Sequence, residues 1–261
     1  MKSVRRIIVS LLICYLSFLG KGYGQTLWIL NMPMYDQESL FHFGFVLGAD
    51  LSYVTIRPIS DLTTHNFDST YVPDILPLPD SAKVMSVTSN PAPGFVISIV
   101  SNMNISDNFD LRFIPSLTFG DRDLVYSIKT YRKESESLLN ITKKVPSTYV
   151  NFPLEIKFKS NRYKNFRAYL MGGAQYTLDL ASQAKKREQR LSDQKIVKFN
   201  RDDLYLEAGV GFDFYNEWFK LGLEFKMMYG MFDQLKRENN IYTNSIQSLK
   251  SKIFQFSVTF E

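Results

Sequence analysis

The sequence is poor in the residues that build chemical sites. It has one cysteine, Cys14, and two histidines, His42 and His65. It contains no phosphate-binding glycine loop, no G-x-S-x-G nucleophile motif and no H-E-x-x-H zinc motif. Two histidines cannot form a three-histidine metal site, and no D-x-D-x-D run offers calcium ligands. The sequence therefore predicts neither a metal ion nor a cofactor.

Long apolar runs are absent beyond the opening segment, which excludes a helical membrane protein. That segment has the form of a secretory signal peptide, with basic residues, an apolar run from Ile7 to Leu19 and small residues before Gln25. We predict cleavage after Gly24. A signal anchor is the alternative, but the run falls short of the roughly 20 residues that a spanning helix needs. Cleavage would also remove Cys14, and with it any disulfide or thiolate site.

The mature chain has no basic excess of the kind that binds nucleic acid. Residues 1–24 hold four basic and no acidic residues, so cleavage lowers the formal charge from +5 to about +1. A nucleic-acid partner is therefore not predicted. Aromatic residues, in contrast, are abundant, with 21 Phe and 15 Tyr.

What recurs along the chain is alternation with period two, which is typical of β-strands. In residues 41–53 the odd-numbered positions are apolar, while most even-numbered ones are polar or glycine. A soluble sandwich also alternates in this way. Here, however, one face is continuously apolar and aromatic, and the other mixes both signs of charge with glycine, as a small polar lumen requires. The segments are also long enough to cross a bilayer at a tilt.

The connections between these segments alternate in length. Short connections at 106–108, 160–164 and 216–217 separate long ones at 57–91, 134–146, 179–202 and 232–250. This order is typical of outer-membrane barrels, which have short periplasmic turns and long outer loops. We predict an all-β fold, an eight-stranded antiparallel outer-membrane β-barrel over residues 40–261 with both termini in the periplasm. Its strands are 40–56, 92–105, 109–133, 147–159, 165–178, 203–215, 218–231 and 250–261.

The strand count depends on the stretch "GDRD", residues 120–123. Before it the apolar residues are odd-numbered, such as Leu117 and Phe119; after it they are even-numbered, such as Leu124 and Tyr126. A hairpin turn here would give nine strands, against the even number of bacterial barrels. A β-bulge also shifts the phase by one residue, and Gly120 tolerates bulge geometry. We predict one long strand, bulged between residues 119 and 124, that projects beyond the membrane.

The inward-facing charges are close to balance. Because eight strands leave an interior that side chains fill, we expect ion pairing rather than a selective pore. The candidate lumen ion-pair network is Asp110, Arg112, Arg167, Glu207, Glu224 and Lys226, with Glu155, Lys157, Asp213 and Lys220 on the same faces. No catalytic residue is predicted. His42 and Asp50 both project inward, as in barrels that modify lipids, but they lie too far apart on one strand to touch.

Two blocks of the sequence, residues 31–53 and 90–126, resemble the PorT family. Its members are outer-membrane β-barrel proteins associated with type IX secretion and gliding motility in Bacteroidetes. The second half of the chain resembles the family only as generic barrel strands. The matching residues are Asn31, Pro33, Tyr35, Asp36, His42, Phe43, Gly44, Gly48, Pro91, Pro93, Gly94, Phe95, Asp110, Leu111, Arg112, Phe113, Pro115, Phe119, Gly120 and Arg122.

The resemblance implies a non-enzymatic part in protein export across the outer membrane, with membrane lipid and other type IX components as partners and no small-molecule substrate. We expect a periplasmic segment at residues 25–39, in which Asn31, Pro33, Tyr35 and Asp36 are candidate partner contacts, because barrel closure does not need them. The alternative is that this segment plugs the lumen. A small OmpA-like structural or adhesive barrel is the second hypothesis for the whole chain, and a lipid-modifying barrel enzyme is the third.

Overall fold

A computed structural model of the chain describes residues 40–72, 75, 77–133, 135–181, 197–216 and 218–261. The predicted signal peptide (1–24) and periplasmic segment (25–39) lie outside these ranges. No α-helix within them is both long and apolar enough to span a bilayer. The elements are β1 (Phe41–Pro58), β2 (Phe67–Asp68), a 3₁₀ turn (Ser69–Tyr71), β3 (Ser81–Asn90), β4 (Ala92–Ser106), β5 (Phe109–Phe113), β6 (Ser116–Arg132), β7 (Ser135–Lys159), β8 (Phe166–Asp179), β9 (Asp202–Tyr215), β10 (Lys220–Gly230), α1 (Ile241–Asn244) and β11 (Ile246–Phe260).

The strands close into a ring. β1 pairs with β11 on one side and with β4 on the other, and the order around the ring is β1, β4, β5 with β6, β7, β8, β9, β10, β11. β5 and β6 fill one place, because both pair with β4 and β7 in a register that continues across Ile114 and Pro115. Proline has no N–H to give to the sheet, which accounts for the gap. The predicted fold, with eight strands in the ring, is confirmed.

The outward face of the ring is apolar and exposed over most of its height. Phe43 is 68% exposed, Ile99 63% and Leu170 57%. A monomeric soluble protein rarely exposes contiguous apolar surface on this scale. A band of this kind around a closed sheet is the surface that faces lipid in an outer-membrane barrel.

Several strands extend further than the sequence predicts, all at the end that carries the long connections. β7 begins at Ser135 and pairs with β6 as far as Arg132, so the long loop predicted at 134–146 is wrong. The region 57–91, predicted to be one long connection, contains β3, which pairs with β6. β11 begins at Ile246 rather than 250. By the rule that long loops of such barrels lie outside, these extensions project from the outer face of the membrane.

The predicted bulge in "GDRD" is also wrong. β6 pairs residue by residue with β7 along its whole length, without a shift. The extra residue belongs to the other neighbour: Gly94 stands opposite Gly120 and Asn90 opposite Asp123, so the three residues 91–93 face only two. The irregularity therefore falls on the sequence Pro-Ala-Pro, where two residues lack an N–H.

The change of apolar phase along β6 has a different cause. Its even-numbered side chains face inward throughout, since Thr118, Arg122, Leu124, Tyr126 and Ile128 are all buried. What changes is the chemistry of the interior, which is polar as far as Arg122 and apolar from Leu124 to Ile128. The even-numbered side chains of β6 therefore face inward along the strand, but they change from polar to apolar where the strand leaves the membrane.

Two other strands invert in the same way. Asp50 and Val54 both face inward on β1, as do Glu155 and Val145 on β7. Above the polar interior, the apolar inward positions meet residues of the outer connections in one buried cluster, here called the outer core. Its buried members are Val54, Phe67, Val72, Ile75, Ala82, Val84, Leu124, Tyr126, Ile128, Val145, Val197, Phe199, Leu235, Ile241, Tyr242, Ile246 and Leu249.

We predict that Leu124→Ala destabilises the outer core by about 2–5 kcal/mol, because it leaves a cavity among packed side chains. Leu124 is fully buried, whereas Leu138 on the paired strand is 62% exposed, so Leu138→Ala serves as the matched control. Hydrogen exchange of the outer residues, measured on the folded barrel, should rise only in the first variant. Equal exchange in the two variants would contradict the assignment of this core.

Candidate functional site

The interior of the membrane part is lined by charged side chains that ring closure brings together. Each strand contributes every second residue, so the alternating polar positions converge on one axis. The buried charged residues of this lumen are Asp50, Asp110, Arg112, Glu155, Lys157, Lys159, Glu207, Asp213, Lys220, Glu224 and Lys226.

Arg112 is the centre of the lumen. Its Nη1 donates to Glu224 Oε1 at 2.7 Å and lies 3.6 Å from Glu155 Oε2, while Nη2 lies 3.8 Å from Glu261 Oε1. All four side chains are at most 2% exposed. Lys226 Nζ completes this group with a 2.6 Å bond to Glu155 Oε1. A buried guanidinium that meets three carboxylates is held mainly by these contacts.

A second buried pair lies beside this group. Lys157 Nζ donates to Asp213 Oδ2 at 2.7 Å and stands 3.6 Å from the centre of the Tyr169 ring. The Tyr169 hydroxyl in turn donates to Glu224 Oε1 at 2.8 Å. Glycine makes room for this ring, since a Cβ on Gly211 would lie 2.4–2.6 Å from three of the Tyr169 atoms. Tyr169 therefore links the two groups of ion pairs into one network.

The network continues in two further pairs. Lys159 Nζ lies 2.6 Å from Asp110 Oδ1, and Asn102 donates to the other oxygen of that carboxylate at 3.2 Å. Lys220 pairs with Glu261. Each of these carboxylates therefore has a cation in direct contact.

Neutral polar side chains fill the lumen towards its outer end. Asn151 Nδ2 donates to Thr118 Oγ1 at 2.9 Å and to Ser116 Oγ at 3.0 Å, and its Oδ1 accepts from Thr177 at 2.9 Å. A cavity of about 10 Å³ next to these groups and Asp50 has room for no more than about one water.

Arg122 marks the change from polar to apolar interior. Its guanidinium carbon lies 4.9 Å from the centre of the Tyr149 ring and 4.7 Å from that of Phe199, a member of the outer core. Just above it, Tyr126 donates to the Tyr242 carbonyl at 3.3 Å, and burial raises the pKa of the Tyr126 hydroxyl above its ordinary value. The lumen is thus closed twice, by charges within the membrane and by apolar packing outside it.

Only some of the predicted network residues contact one another. Arg112, Glu224 and Lys226 share one group, and Asp110 pairs separately with Lys159. Arg167 stands opposite Asp213 on β9. The carboxylate of Glu207 is buried and has no hydrogen-bond partner among the described residues.

Two members of the network were not among the predicted candidates, Lys159 and Glu261. Both continue a visible alternation: Lys159 follows Glu155 and Lys157 at the same parity on β7, and Glu261 continues the inward positions of β11. Parity was therefore the signal that could have found them. The candidate partner contacts Asn31, Pro33, Tyr35 and Asp36 lie outside the described residues.

The pair considered for catalysis is not assembled. His42 and Asp50 lie eight residues apart on β1, or roughly 26 Å along an extended strand. They face Asn102 and Gly94 of β4, respectively. Within the described part of the chain, no group of three His, Cys, Asp or Glu side chains is placed to hold a metal ion.

The chain matches a known family of outer-membrane barrels. Residues 36–236 match the family model described as outer membrane protein beta-barrel domain. No curated protein sequence matches the chain.

Three solved structures are among those similar to the chain, all at low sequence identity. Neisserial surface protein A has 15% identity and a TM-score of 0.39, covering 85% of this chain and 98% of its own. The outer membrane protease OmpT from Escherichia coli has 9% identity and a TM-score of 0.40, covering 88% and 99%. OprG from Pseudomonas aeruginosa has 10% identity and a TM-score of 0.38, covering 83% and 93%.

We predict that Arg112→Met destabilises the barrel by about 3–5 kcal/mol, because it leaves the buried Glu224 carboxylate without the cation that contacts it directly. Adding Glu224→Gln to this variant should recover part of the loss, since it removes one uncompensated charge. Urea unfolding in lipid vesicles measures both, with the exposed Lys144→Met as the control for loss of a positive charge. Glu224→Gln alone is measured as well. If the stability lost by the double variant equalled the sum of the losses of Arg112→Met and Glu224→Gln, the proposed coupling between Arg112 and Glu224 would be wrong.

Proposed function

We propose that this chain, which belongs to the outer membrane protein beta-barrel domain family, is a non-conducting accessory component of type IX protein export. Its location is the outer membrane. The observation that carries the proposal is the doubly closed lumen. A barrel filled by buried ion pairs and covered by the outer core cannot pass a polypeptide, so a part in export is one of assembly or support.

The residues behind the resemblance to the PorT family support this proposal through their positions. Gly94 and Gly120 stand opposite one another on β4 and β6, and a Cβ on Gly94 would lie 2.0 Å from Asp50 Oδ1. Arg112 is the centre of the charged lumen, and Arg122 lies where the lumen meets the outer core. The resembling residues in the described part of the chain thus include those that close the barrel rather than any that would open it.

The proposed contacts with other export components lie outside the barrel wall. We assign them to the periplasmic segment 25–39, with Asn31, Pro33, Tyr35 and Asp36, and to the outer connections. A filled barrel needs no further plug, which favours partner contact over lumen plugging for this segment.

A second candidate function is that of a small structural or adhesive barrel. The observation that favours it is the projection of β6 and β7 as a long paired hairpin, which together with β3 presents a sheet above the membrane. The third candidate, a lipid-modifying enzyme, has less support because His42 and Asp50 are too far apart to act together.

We predict that the purified protein forms no stable conducting channel in planar lipid bilayers. Charged groups of the described residues are in direct contact across the axis of the lumen, so we expect these residues to leave no continuous open path. An open general porin measured in the same bilayers is the control. Stable, reproducible conductance steps from the unmodified protein would contradict the closed-lumen description.

We predict that deletion of residues 26–37 leaves a folded, heat-modifiable barrel in the outer membrane but stops secretion of type IX cargo. The variant Asn31→Ala/Pro33→Ala/Tyr35→Ala/Asp36→Ala keeps the length of the segment and should give the same defect if these side chains make the contacts. Cargo retained in the periplasm is the readout. Normal secretion from the deletion variant would overturn the export proposal, and altered surface adhesion alone would support the structural or adhesive candidate.

A further inference from the structure

The outer surface of the barrel carries a basic patch on two adjacent strands, β1 and β11. Along β11 the outward side chains Phe254, Phe256, Val258 and Phe260 are apolar, and the next outward positions towards the outer end are Lys252 and Lys250. Arg57 lies on the same face of β1. These three cations, Arg57, Lys250 and Lys252, are here called the basic patch.

Strand register brings the patch together. Lys252 stands opposite Tyr53 on β1 and Tyr229 on β10. Lys250 stands opposite Thr55, and Arg57 is its diagonal neighbour on the same face. Such neighbours lie about 5–8 Å apart across a sheet, and the two lysines are separated by about 7 Å along β11. The patch is therefore one site rather than three scattered charges.

Within the described residues, none of these three cations forms an ion pair with a carboxylate. The outward positions opposite them are tyrosine, threonine and serine. Other cations of the outer part do have such partners: Lys129 lies 2.6 Å from Glu136, and Lys198 lies 2.8 Å from Glu238. Like charges at these separations repel one another unless an anion lies between them.

The basic patch lies next to aromatic rings at the edge of the apolar surface. Lys250 Nζ lies 5.7 Å from the centre of the Tyr229 ring, and Lys252 Nζ lies 5.0 Å from that of Phe254. The ring of Tyr53 packs edge-on against Phe254 at 5.9 Å. Tyrosines at this level are typical of the boundary between hydrocarbon and headgroups.

We propose that the basic patch binds the phosphate groups of a phosphorylated lipid of the outer leaflet. Two features identify a lipid. The charge of the patch complements phosphate, and the surface directly below it, with Leu51, Met227 and Phe254, is continuous with the apolar band that contacts acyl chains. A soluble anion would gain nothing from that apolar surface, whereas a lipid uses both parts at once. The proposal rests on the outer-membrane location and is independent of any part in export.

The test is a titration of the full-length protein, in mixed micelles of a non-ionic detergent, with diphosphoryl lipid A. Lipid A is chosen as a lipid that carries phosphates next to acyl chains. The variant Arg57→Gln/Lys250→Gln/Lys252→Gln should bind on the order of 100-fold more weakly, at roughly fivefold per charge removed. The matched control is Lys83→Gln/Lys133→Gln/Lys144→Gln, which removes the same charge from the hairpin side and should bind like the unmodified protein.

Two further probes separate the sources of phosphate. Dephosphorylated lipid A should bind weakly to every variant, and inorganic phosphate alone should not compete at millimolar concentration. Heat-modifiable migration shows that each variant is folded. Equal affinity of the two triple variants for diphosphoryl lipid A would overturn the proposal, as would full competition by inorganic phosphate, which would identify a site for a free anion.

Discussion

The ion pair between Arg112 and Glu224 joins opposite walls of the barrel. β5 and β10 stand four places apart in a ring of eight, so the 2.7 Å contact spans the lumen. It forms only when the ring is closed, and it excludes anything wider than a side chain from the axis. Glu155 from β7 and Tyr169 from β8 approach the same two groups. A ring of eight strands is therefore narrow enough for side chains of opposite walls to pair. These pairs in turn fill the described part of the lumen and leave no open path there.

Alternation along the sequence was enough to predict the closed eight-stranded ring, but not the meaning of its interruption. At "GDRD" the apolar residues change from odd to even positions, and a bulge was the expected cause. The structure keeps the facing of β6 constant and changes what lies inside, from Arg122 to Leu124 and Tyr126. Period two records which residues share a face; it does not record which face is buried, and across a membrane boundary the apolar face passes from outside to inside.

The pairing of the lumen was only partly accessible from sequence for a related reason. Parity identified Arg112, Glu224 and Lys226 as inward, but their contacts depend on ring closure, which places residues more than a hundred positions apart within 3 Å of each other. Asp110 illustrates the limit, because it pairs with Lys159 and not with the other predicted members. The outer core was less predictable still. It takes Phe67, Val197 and Tyr242 from connections that have no periodic pattern.

The inversion of polarity along β1, β6 and β7 fixes how deeply the barrel sits in the membrane. If the protein moved outward along its axis, charged lumen walls would stay hidden, but the polar outward faces of the periplasmic turns would enter hydrocarbon. If it moved inward, the outward polar side chains of the β6–β7 projection would do so. Each residue of displacement would place further polar groups of several strands in lipid, at a cost of several kcal/mol for each unsatisfied group. The barrel therefore has one vertical position, set by the outward-facing polar groups at the two edges of its apolar band.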